Sequence, residues 1–139
     1  MSKNVTRTTL VVVDLLEAAS AEVGAVGLVV GFMNIPTTVL SGTPFADFTV
    51  PALLLGFVVG GSALVAALIA AFAPRWFAPA SAAAGCITVG WLVVEIAMIG
   101  LGSWAQIAYM AVGLVMIGLA ALLWRAELQP AIATQPQAV

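Results

Sequence analysis

Histidine is absent from this chain of 139 residues, cysteine and tyrosine occur once each, and lysine and arginine together number four. Each gap removes a class of chemistry. Without imidazole there is no usual zinc or haem ligand, no histidine general base and no triad built on one. The lone Cys86 allows neither an intramolecular disulfide nor a thiolate cluster. Four scattered bases and a net charge of −2 supply no basic patch for phosphate backbones, which excludes nucleic acid as a partner. The sequence also lacks a Gly-rich phosphate loop, a metal-ligand cluster and a plausible activated nucleophile. No metal, cofactor or enzymatic activity is therefore expected.

What fills the chain instead is apolar bulk. Hydrophobic residues make up 63% and charged residues 7%, against roughly 45–50% and about 25% in soluble domains. A lipid bilayer is the surrounding this composition fits. A spanning helix needs about 20 mainly apolar residues, and four stretches qualify, residues 10–33, 50–73, 78–100 and 103–124. Pro36, Pro44, Pro51, Pro74, Pro79 and the Gly100-Leu101-Gly102 step fall between these blocks or at their edges, where helix punctuation belongs. The expected fold is all-α, an antiparallel bundle of four transmembrane helices over residues 1–126. Residues 127–139, with Pro130, Pro136 and three glutamines, read as a disordered cytoplasmic tail.

Lys3 and Arg7 precede the first span, Arg75 lies between the second and third, and Arg125 follows the fourth. All four bases thus fall on one side, which the positive-inside rule makes the cytoplasm, with both termini there. Trp76, Trp104 and Trp124 sit at span ends as interfacial anchors. The Trp104-to-Trp124 interval corresponds to ~30 Å of helix, the hydrocarbon thickness. Trp91, near mid-span, reads as a packing residue.

Small residues let helices in lipid approach closely. Gly27 with Gly31, Gly56 with Gly60, and the stripe Ala82, Cys86, Gly90 are the candidate contacts. They serve internal packing first, and a stripe left facing lipid suits a second copy or a larger membrane complex.

Acids inside the apolar blocks are the functional anomaly. Asp14 and Glu17 lie one helical turn apart near the cytoplasmic end, within reach of arginines, so a structural ion pair is expected there. Glu22 is ~18 Å in from Leu10, and Glu95 is ~8 Å from the outer end of the third span. No base shares their depth. Gln106, Tyr109 and Asp47 are the polar groups nearest them. If Glu22 and Glu95 converge, the pair can share a proton or hold a cation. The outer loop, residues 34–49, is expected to rest on the helix ends as a connection, with Phe45 and Phe48 at the interface and Asp47 wet.

The stretch from Phe45 through Pro51 to Gly61, followed by Gly90-Trp91-Leu92-Val93-Val94-Glu95-Ile96, resembles small four-span bacterial inner-membrane proteins, a group to which no activity is assigned. The resemblance implies a bacterial plasma-membrane location and four spans, and it transfers no site residue. The reading favoured on these grounds is a non-enzymatic helical bundle that self-associates or serves as an accessory subunit. The alternative is a proton- or cation-linked carrier or binding protein for a small solute, using Glu22 and Glu95.

Lys3, Arg7, a short apolar run and Ala19-Ser20-Ala21 imitate a secretory signal, but Asp14 and Glu17 interrupt its apolar core. Cleavage would leave residues 23–33, too few to span. Intact-mass measurement of the membrane-extracted protein should therefore find residues 1–21 retained, and their loss would overturn the four-span expectation.

Overall fold

A computed structural model describes residues 1–133. Four long helices account for most of them, and no strand occurs among the described residues. Helix α1 spans Lys3–Val30. It starts seven residues before the expected Leu10 because Ser2 caps it, its Oγ accepting from the Val5 N–H at 3.3 Å. It stops before Met33 because Gly31 turns left-handed, with φ 73°. Helix α2 covers Thr49–Phe72, and its middle, Leu54–Gly60, widens into π-helical turns. Helix α3 runs Phe77–Ile99 and ends at Gly100, φ 79°.

Helix α4 runs Trp104–Ala133. Residues 127–133, expected as the start of a disordered tail, continue this helix, since Arg125-Ala126-Glu127-Leu128-Gln129 are good helix formers. The rest of that tail, 134–139, lies outside the described residues.

Among the described residues three segments are long and apolar enough to cross a membrane: Thr49–Phe72, Pro74–Ile99 and Trp104–Gln129. Helix α1 has the length, at 28 residues or ~42 Å, but it carries Asp14, Glu17 and Glu22. It packs against α2 and α4, while α3 packs against α2 and α4. Leu10 of α1, Phe77 and Ala78 of α3, and Met116 and Leu123 of α4 meet in one buried cluster. The first turns of α1 and α3 thereby adjoin the last turns of α4, so α1 and α3 run opposite to α4. Lys3, Arg7 and Arg75 gather at this same end beside Glu127.

Close backbone approach is made at two places. A Cβ on Gly60 would lie 3.1 Å from the Ala21 Cβ, and one on Gly56 would lie 3.2 Å from the Ala25 Cβ, which puts α2 against the small-residue face of α1. Between α3 and α4 the pair is Gly85 and Gly113. A Cβ on Gly85 would stand 2.8 Å from the Gly113 carbonyl. The other candidate stripes lie elsewhere. Gly27 is covered by the Phe32 ring, Gly31 is the α1 cap, Cys86 is exposed, and Gly90 has open space around it.

These contacts set opposite outcomes for one substitution. Gly85→Ala must push α3 from α4 and should cost about 1–3 kcal/mol. Gly90→Ala should be neutral or stabilising by about 0.5–1 kcal/mol through helix propensity. Reversible SDS unfolding of both variants, followed by circular dichroism, checks the pair.

Candidate functional site

The acids of α1 divide by rotation about its axis. Asp14 and Glu17 turn inward and are 0% and 2% exposed. The ion pairs expected for them do not form among the described residues. Ser81 Oγ of α3 donates to Asp14 Oδ1 at 2.8 Å, and Thr88 Oγ1 donates to Glu17 Oε1 at 3.1 Å. Arg7 reaches instead to the Ala70 carbonyl, 2.7 Å away, and lies over the Phe77 ring. It sits seven residues before Asp14, so its guanidinium stays at the charged end rather than following the carboxyls inward. Asp14 Oδ2 is buried with no hydrogen-bond partner. With no base beside the pair, electroneutrality there rests on protons or a bound cation.

Ser81 and Thr88 were open to detection from sequence. They are seven residues apart, two turns on one face of a helix whose other strongly polar residue is Glu95, and they bond two acids one turn apart on α1. Periodicity alone does not say which helix the acids face, and that choice decides the partner.

Glu22 turns outward and is exposed. Its carboxylate lies along the α1–α2 groove at the two glycines of the wide α2 turn. Cβ atoms on Gly56 and Gly60 would each come within 3.3 Å of a Glu22 carboxylate oxygen.

Glu95 is half-buried on α3 and its Oε1 accepts from Gln106 Nε2 at 2.9 Å. Gln106 is itself clasped by the turn before α4. Its Nε2 donates to the Gly100 carbonyl, and its Oε1 accepts from the Gly102 and Ser103 N–H groups at 3.0 and 3.2 Å. Glu95 also lines a cavity of about 190 Å³, whose wall is almost wholly apolar. The loop after α1 covers that cavity with Leu40, Phe45 and Phe48, α2 contributes Pro51, Leu54 and Leu55, and α3 contributes Trp91 and Glu95.

The five candidate site residues therefore occupy four places. Glu95 and Gln106 belong together. Tyr109 lies beside Ser20 and Glu17. Asp47 is exposed and accepts from the Thr49 N–H at 2.8 Å, a bond that holds its carboxyl below the ordinary carboxylate range. Glu22 lies at the α2 glycines and is not among the residues lining the cavity that Glu95 reaches. No protein-family model, curated protein or solved structure matches this chain.

The buried hydroxyls generate a direct test. Ser81→Ala and Thr88→Val each strip a donor from a buried carboxyl and should destabilise the fold by about 1–3 kcal/mol. Ser81→Ala should be the costlier, because Asp14 then loses the hydrogen bond to Oδ1 while Oδ2 already has none. The unfolding midpoints of both variants in one detergent give the comparison.

Proposed function

We propose that this chain is a four-span, non-enzymatic helical bundle of a bacterial inner membrane that works as a subunit. It docks against a second copy or another membrane protein through the α1–α2 face that carries Glu22. The gathering of Lys3, Arg7 and Arg75 at one end supports a cytoplasmic position for that end and for both termini. The inward turn of Asp14 and Glu17 supports α1 as a fourth span, because two of its three acids are then hydrogen-bonded away from lipid.

The observation that carries the reading is the exposure of Glu22. It lies eight residues, ~12 Å, before the outer end of α1, among Val23 and Val26, which are 62% and 58% exposed. A carboxylate facing hydrocarbon at this depth costs several kcal/mol. A protein surface with hydrogen-bond donors removes that cost. Gly56 and Gly60 leave the room in which the carboxylate itself lies, and its exposed side is left for a partner's donor. The carrier reading required Glu22 and Glu95 in one site, and their separate partners remove its main support.

A photoreactive benzoylphenylalanine placed at Val26 tests the docking face in native membranes. Illumination should give a protein adduct: twice the chain mass for self-association, or a heteromeric adduct identified by mass spectrometry. Adducts to lipid alone would sink the proposal.

A further inference from the structure

Three of the four bases of this chain, Lys3, Arg7 and Arg75, line one open cleft of about 320 Å³ together with Pro74 and Glu127. The positive-inside rule accounts for bases at one end of a bundle. It does not account for their meeting in one cleft, brought there by the start of α1 and by the turn between α2 and α3. Three bases against one acid leave the cleft positive, and an anion is the ligand that such a field favours. Arg7 is already held in place, because it donates to the Ala70 carbonyl at 2.7 Å and lies over the Phe77 ring. Arg75 lies over the Trp76 ring, 5.8 Å from its centroid. The turn that carries Arg75 joins two segments of membrane-spanning length, Thr49–Phe72 and Pro74–Ile99, which sets it at the depth of lipid headgroups. Phe72 and Trp76, on either side of Pro74 and Arg75 in the chain, are 84% and 56% exposed. Large apolar side chains beside bases at this depth meet acyl chains just below a headgroup.

We propose that this cleft binds the phosphodiester headgroup of an anionic phospholipid, the phosphate meeting Lys3, Arg7 and Arg75 and the acyl chains running along Phe72 and Trp76. The planar guanidinium fork matches phosphate oxygens, which a headgroup and a free phosphate share. The exposed apolar pair favours the lipid, since a free phosphate has nothing to place against it. Glu127 faces the same space and opposes the anion, so it sets the affinity lower than the bases alone would. Arg125, the fourth base, does not line the cleft. The site involves neither Glu22 nor the face that carries it, and it stands or falls independently of docking.

Native mass spectrometry tests this with the full chain in detergent micelles that hold phosphatidylglycerol and phosphatidylcholine of the same acyl chains in equal amounts. The chain should retain phosphatidylglycerol over phosphatidylcholine by about tenfold or more, as two uncompensated bases near a bilayer surface imply. Lys3→Gln and Arg75→Gln should each lower that ratio about fivefold, the factor equivalent to ~1 kcal/mol per base. Both side chains are exposed, so neither substitution disturbs the core. Arg125→Gln removes the same charge outside the cleft and should leave the ratio unchanged, whereas Glu127→Gln should raise it. Inorganic phosphate in large excess should not displace the lipid. A ratio near one would overturn the proposal by denying the anion site. Equal losses for Arg125→Gln and Arg75→Gln would overturn it by reducing the preference to general charge attraction, and displacement by inorganic phosphate would do so by assigning the cleft to the free ion.

Discussion

A carboxyl group enclosed by apolar helices must find hydrogen-bond donors nearby, and in this protein that requirement fixes the rotation of α1. Asp14 and Glu17 are about 60° apart around the helix axis at ~100° per residue, so both can face α3, where Ser81 and Thr88 await them. Leu10, Ala21 and Ala25 share their face and are buried with them. Glu22 lies about 140° beyond Glu17. No rotation of α1 buries all three acids against one neighbour. Satisfying the pair therefore turns Glu22 outward, and an exposed mid-helix carboxylate follows from the burial of two others.

The same constraint explains what was legible in the sequence. The helices and their punctuation were, because apolar runs of membrane-spanning length and prolines or glycines at their ends are local signals. The break at Gly100 is of that kind, whereas the Ser2 cap and the left-handed Gly31 were not read, because the apolar run marks a span and not the polar turn before it. The inward faces of α3 and α4 were not legible. Both helices are apolar on nearly every side, so no amphipathic direction marks the interior, and a small residue toward lipid reads the same as one at a contact. Gly85 and Gly113 meet while Gly90 stands free, and only the neighbouring backbone distinguishes them. Arginine partners were misassigned for a related reason. The acids were read as within reach of arginines, whereas Arg7 reaches the Ala70 carbonyl and the Phe77 face at the charged end.

The π-helical turns of α2 couple two features that look unrelated along the chain. Widening at Leu54–Gly60 presents Gly56 and Gly60 to α1, where they leave room for Glu22. It also directs Leu54 and Leu55 to the cavity wall. A regular helix would shift one of these sets relative to the other, since each π turn adds a residue without completing a further turn. The room beside the Glu22 carboxylate and part of the hollow's wall thus belong to one local irregularity.

Bulk is distributed unevenly along the helices, and that asymmetry sets where the cavity lies. Large buried side chains, Leu10, Phe77, Met116 and Leu123, crowd toward the end that carries the bases. The middle is closed by Ala18, Ala63, Ala66 and Ala84, where short side chains bring backbones together. At the opposite end the loop, rather than a helix, completes the wall, and its Phe45 and Phe48 leave space above Trp91. The hollow therefore lies where a loop, and not a fourth helix face, packs against the helices, and short side chains close the space elsewhere.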